Sequence, residues 1–161
     1  MAARFAGFML AASLLLGTAA WAADEDDGYE WSTGSEDGYA YLVYGSPETD
    51  EDYGFLMSCD GNNKATGMTV YVDIAGTKVG DPVAIAFGGG ETALTVQGQI
   101  GTDEMSGYLF SEAAGFKIKP VLALLSGEGP VTVKTGAVVT TLPAAGRGKA
   151  TAEFAKSCPL D

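Results

Sequence analysis

The chain has 161 residues, with 9 basic against 21 acidic side chains for a net charge of -12, 23 glycines, two cysteines and no histidine. That length suits one globular domain. So acidic a balance opposes phosphate backbones and anionic headgroups, which excludes nucleic acid as a partner. The missing histidine excludes the Ser-His-Asp and Cys-His nucleophile arrangements and the commonest zinc ligand.

Arg4 precedes an apolar run from Phe5 through Leu16, and Ala20-Trp21-Ala22 is a small-x-small site just ahead of Asp24-Glu25-Asp26-Asp27. This is the pattern of a cleaved secretory signal over residues 1–22. Its apolar core is about a dozen residues, short of the roughly 20 that a membrane-spanning helix needs. No cysteine follows the cleavage site to carry a lipid. Cleavage leaves residues 23–161 as a single β-rich domain of net charge -13, expected in the periplasm and not spanning the membrane.

Residues 24–63 carry 12 acids and no base, whereas residues 64–161 carry nine acids and eight bases. Tyr29, Trp31, Tyr39, Tyr41, Tyr44, Tyr53 and Phe55 lie in the acidic stretch, so only Asp24 to Asp27 reads as a frayed tail. An echo of Asp27-Gly28-Tyr29-Glu30-Trp31 in Asp37-Gly38-Tyr39-Ala40-Tyr41 predicts a hairpin turning around Gly34-Ser35. Glu48-Thr49-Asp50-Glu51-Asp52 is the densest carboxylate run. It lacks the Asp-x-Asp-x-Asp-Gly spacing of a calcium loop, as does Asp60-Gly61-Asn62-Asn63, so both read first as solvated loops.

Strict alternation marks the strands. Met68, Val70, Val72 and Ile74 share one face while Thr69, Tyr71 and Asp73 take the other, and Leu94, Val96 and Ile100 alternate with Thr95, Gln97 and Gln99. Further strands are expected over 39–44, 54–59, 83–87, 108–111, 131–134 and 137–142, separated by Gly, Asn and Asp turns. Gly88-Gly89-Gly90 lies between two strands and is followed by Glu91, so it reads as a hairpin loop and not a phosphate cradle. About eight short strands imply a mainly β domain, an antiparallel sandwich or small barrel. Two short helices are expected, one from Pro120 to Leu125 and one from Lys149 to Cys158.

Cys59 shares its strand face with Phe55 and Met57, and Cys158 falls at i+8 from Ala150 and i+4 from Phe154. In an exported chain the two are expected to form one disulfide that ties the last helix to a middle strand. Two thiolates without histidine make a poor metal site. No Gly-x-Ser-x-Gly occurs, and Ser106 reads as a turn serine. No catalytic, cofactor-binding or metal-binding residue is therefore assigned.

Phe55-Leu56-Met57-Ser58-Cys59-Asp60-Gly61 and the closing Phe154-Ala155-Lys156-Ser157-Cys158 resemble the layout of small periplasmic proteins of Gram-negative bacteria, alphaproteobacteria in particular. In those proteins a strand ending in Cys and a terminal Phe-x-x-x-Cys helix bracket a β domain, and the resemblance implies no activity. Ser58-Cys59-Asp60-Gly61 is also similar to a strand in the periplasmic inhibitors of C-type lysozyme, small β-barrels. The expected function is a secreted, non-enzymatic binding or envelope-accessory domain. Alternatives are an inhibitor of a cationic envelope-degrading protein such as lysozyme, and a carboxylate-dependent enzyme acting on glycans. Tyr39, Tyr41, Glu48, Asp50 and Asp52 are the candidate contacts for a cationic protein or a divalent cation.

Overall fold

The computed structural model describes residues 28–49, 52–72, 74–90 and 92–158. The signal segment, the tail Asp24 to Asp27, and Asp50, Glu51 and Asp73 lie outside the described residues. Among the described residues nine strands form one antiparallel sheet: β1 (Glu30–Glu36), β2 (Tyr39–Gly45), β3 (Tyr53–Asp60), β4 (Ala65–Val70), β5 (Pro82–Gly89), β6 (Thr92–Thr102), β7 (Leu109–Ala114), β8 (Val131–Thr135) and β9 (Val138–Leu142). Their order is β1-β2-β3-β4-β7-β6-β5-β8-β9, and the sheet curls into a half-barrel. Helix α1 (Ile118–Leu125) lies on the connection from β7 to β8 and touches β6, and helix α2 (Arg147–Ser157) packs on β1, β2 and α1. Among the described residues no helix is long and apolar enough to cross a membrane.

The concave face is built in cross-strand rows that taper. Trp31, Tyr44, Phe55 and Val70 stand opposite one another across β1 to β4, the next row is Thr33, Leu42, Met57, Met68 and Ala113, and the third is Ser35, Ala40, Cys59 and Thr66. Rings therefore fill one end of the curl and small side chains the other. Trp31 meets Tyr44 at 5.3 Å and Phe55 at 5.9 Å between centroids, and Phe55 reaches across the core to Phe87 at 6.3 Å. Full burial of a side chain such as Phe55 is worth about 1.5–3 kcal/mol. Ile118, Val121, Leu124 and Leu125 of α1, with Ala150 and Phe154 of α2, complete the same core.

At the narrow end Cys59 and Cys158 form the expected disulfide, Cα to Cα 5.8 Å, between residues 99 apart in sequence. Phe154 is fully buried, as its place on the helix stripe requires.

The structure moves several boundaries. The first hairpin turns at Asp37-Gly38 and not at Gly34-Ser35. Both turn residues have positive φ, 49° and 84°, the geometry of a two-residue loop whose twist matches the flanking strands. Gly34 stays in β1 because the Tyr41 ring lies over it, where a Cβ would collide with that ring. The ladder of β4 runs from Ala65 to Val70, although Val72 and Ile74 remain buried as the alternation requires. Gly88 and Gly89 belong to β5, leaving Gly90 at the turn. Helix α1 begins two residues before Pro120, still within the first turn where a missing N–H costs no helix bond. The last helix begins at Arg147 behind Gly146, whose φ is 77°.

Candidate binding site

Among the described residues strands β1 and β9 are the two edges of the sheet, and the Trp31–Pro143 contact and the shared depression lined by Tyr29, Thr140 and Thr141 bring the two edges to one seam. One stretch of the seam is closed. The Trp31 indole N–H donates to the Pro143 carbonyl at 3.1 Å. Arg147, 1% exposed, donates to the carbonyls of Leu125, Leu142, Pro143, Gly127 and Gly129 at 2.6 to 3.2 Å. This guanidinium thus ties the start of α2 to the ends of β9 and α1 without a carboxylate. Loss of solvent lowers its pKa, and the five carbonyl dipoles offset part of the cost of burying the charge.

The other stretch stays open. Beside it lies a depression of about 830 Å3 lined by Tyr29, Tyr44, Tyr53, Tyr71 and Tyr108, with Asp52, Asp103, Met105 and the β9 threonines Thr140 and Thr141 around it. Among the described residues no lysine or arginine lines it. Its size is within the range of ligand-binding clefts. Tyr29 and Tyr44 meet edge to face at 5.6 Å, and Tyr53 and Tyr71 at 4.8 Å, so the ring walls brace one another. Phe110 backs Tyr71 at 5.2 Å. Burial, then the hydrogen bond and proximity of Tyr71, then Asp103, hold the Tyr53 hydroxyl far above its ordinary pKa, so it remains neutral.

Two loops set the carboxylates. Asp52 ends the β2–β3 loop, where its carboxylate accepts the Tyr29 hydroxyl and its amide donates to Thr49 Oγ1 at 3.2 Å. Asp103 organises the β6–β7 turn. Its Oδ1 accepts from the Met105 amide at 3.0 Å, the Ser106 amide at 2.7 Å and the Ser106 hydroxyl at 2.8 Å. The Ser106 bonds, above all, lower the Asp103 pKa, so this carboxylate stays charged. The turn presents Met105 and Tyr108, 96% and 71% exposed, to solvent. Ser106 is thus the turn serine that the sequence indicates.

Of the candidate contacts, Asp52 lines this cup and Glu48 is exposed on the same loop. Asp50 lies outside the described residues. Tyr39 and Tyr41 are exposed on the convex face toward the opposite end of β2, about 20 Å from Gly45 at the far end of the strand in the case of Tyr39. The strand thus sets Tyr39 and Tyr41 toward the end of β2 away from the acidic loop, although Tyr39 is still near enough to add slightly to the rise in the Tyr53 pKa. Tyr71, Tyr108 and Asp103, which complete the cup, come from the segment just after β4 and from the β6–β7 turn, and no local spacing joins them to Tyr29 or Asp52.

Among the described residues no carboxylate is buried, and no three His, Cys, Asp or Glu side chains converge as a metal site would require. The Asp60 carboxylate is held by its own turn. It accepts from the Asn63 side chain and from the Asn62 and Asn63 amides, contacts that lower its pKa. No protein-family model, no curated protein and no solved structure matches the chain.

Proposed function

We propose that the chain is a secreted, non-enzymatic binding domain whose tyrosine cup takes a cationic group from a partner protein. One observation carries this reading: among the described residues five tyrosines and two carboxylates surround one depression that no basic side chain lines. Ring faces attract a cation through their quadrupole, worth about 0.5–1 kcal/mol at exposed sites and about 2 when water is excluded. Asp103 remains ionised to low pH and adds charge attraction. A glycan-cleaving role needs an acid whose pKa is raised, usually by burial. Asp103 is shifted the other way, which favours binding over that alternative.

Titration with lysozyme, as a basic partner, tests the reading at low and moderate salt with its activity assayed alongside. Binding that Tyr108→Ala and Asp52→Asn each weaken several-fold supports the cup. If lysozyme inhibition also persists at moderate salt, the inhibitor reading gains, because contacts that exclude solvent are screened less. No binding at low salt, or binding indifferent to both variants, overturns the assignment to the cup.

A further inference from the structure

A second depression, of about 590 Å3, crosses the convex face and shares no lining residue with the cup. Its shape follows from strand register. One outward row runs Tyr41, Ser58, Gly67, Ala114 across β2, β3, β4 and β7, and the neighbouring row runs Leu56, Thr69, Glu112, Gln99 across β3, β4, β7 and β6. Ser58, Gly67 and Ala114 are small, so the first row is a floor, and the longer side chains of the second stand beside it as a wall. Tyr39, 45% exposed, stands on β2 at one end, and Gln97 on β6 at the other. Five strands at about 4.8 Å spacing give the trench a length of about 19 Å.

Two features point to a ligand. Ser58, 9% exposed as a residue, lines the trench floor, where its hydroxyl is open to whatever fills the trench. A ligand in the trench would replace water at this hydroxyl. Glu112 Oε1 accepts from Gln99 Nε2 at 2.8 Å, which fixes both planar groups beside the floor and leaves the second Glu112 oxygen for another donor.

The chemistry of the lining selects the occupant. The backbone groups of these central strands already serve the ladders on both sides, so an added peptide strand finds no edge here. Among the described residues no lysine or arginine lines the trench, which disfavours an anion. Its one carboxylate shares its charge with the Gln99 amide, which gives little pull on a cation. Hydroxyl, amide and carboxylate groups beside an exposed phenol ring suit a neutral ligand that carries many hydroxyls and one apolar face. We propose that this trench binds a neutral oligosaccharide, with Tyr39 stacked on a sugar ring and Ser58, Gln97, Gln99 and Glu112 hydrogen-bonded to its hydroxyls.

The test uses the intact, disulfide-bonded chain, with amide NMR and calorimetry against cellotetraose, the tetramer of N-acetylglucosamine, and tetragalacturonate as an anionic control. At least one neutral tetramer is expected to shift the amides of Ser58, Gly67 and Ala114. Tyr39→Ala and Glu112→Ala should each weaken that binding at least tenfold with the remaining amide spectrum preserved, while Tyr108→Ala in the cup leaves it unchanged. The proposal is overturned if neither neutral tetramer binds, if tetragalacturonate binds as well as they do, or if the shifts gather around Tyr29 and Tyr108. Binding unaffected by both trench variants overturns it equally. Lysozyme binding at the cup is a separate measurement, so either site can fail alone.

Discussion

Along the closed stretch of the seam, Trp31 and Arg147 reach from β1 and α2 to backbone carbonyls at the ends of β9 and α1, whereas along the open stretch Tyr29, Thr140 and Thr141 line a gap. Both stretches separate the same two edge strands. Their difference lies in what the nearby side chains satisfy. In the closed part a guanidinium and an indole take up five carbonyls, of which those of Leu125 and Leu142 are buried. In the open part tyrosines combine a ring that packs with a hydroxyl that tolerates water, so the edges can stand apart without exposing a purely apolar core. An open mouth in this half-barrel is thus compatible with a well-packed interior.

Perturbing the closed stretch should lower global stability, and perturbing the open one should leave it nearly unchanged. The largest effect is expected from the covalent tie at the end of α2. Replacing both Cys59 and Cys158 by Ser should lower unfolding free energy by about 4–5 kcal/mol on the chain-entropy model of a loop of this length, measured by urea denaturation. Arg147→Met should follow at about 3 kcal/mol, since it strands carbonyls that lose their donor. Arg147→Lys should recover only part of this, because an ammonium has three donors and no planar fork. Trp31→Phe keeps the ring contact but loses the bond to Pro143, a change of about 1 kcal/mol. An Arg147→Met variant as stable as the parent would remove the proposed distinction between the two stretches.

The smallest effect concerns the open stretch and is local. The folded-state pKa of Asp103 is depressed, so the stability it adds is present above the carboxylate's unfolded pKa and is lost as pH falls through the lower, folded value. Hydrogen exchange at the Met105 and Ser106 amides should therefore speed up, relative to the chain's intrinsic rate, as pH drops below about 4. Asp103→Asn should abolish this pH response while leaving the urea midpoint within error. A response retained in that variant would place its origin elsewhere.

How much of this was legible in the sequence depends on the range of the cause. Alternation placed Met68, Val70, Val72 and Ile74 in the core, and helix spacing put Phe154 and Cys158 on one stripe, because each pattern is set by the local backbone period. The disulfide followed from those faces and from there being two cysteines. The first turn was misplaced because Gly34 reads as a turn residue until the Tyr41 ring is seen to occupy its missing Cβ position. Asp37-Gly38 already carried the stronger two-residue signal. The role of Arg147 left no trace, since its five carbonyls lie up to 22 residues away and carry no side-chain signature. The acidic run with Tyr39 and Tyr41 read as one surface only because nearness in sequence stood in for nearness in space. A strand of seven residues is enough to carry Tyr39 and Asp52 to opposite ends of the sheet.

The disulfide also divides the chain topologically. Everything from Asp60 to Ser157, and so β4 through α2, lies within a covalent ring. A protease that cuts once inside the ring, at the exposed β6–β7 turn for instance, yields two pieces that remain joined and can keep their places in the sheet. A single cut in the β2–β3 loop falls outside it. That cut frees β1 and β2 together, and with them Trp31, Tyr29, Tyr44 and Tyr39, so one nick there dismantles the seam and removes tyrosines from both the cup and the trench.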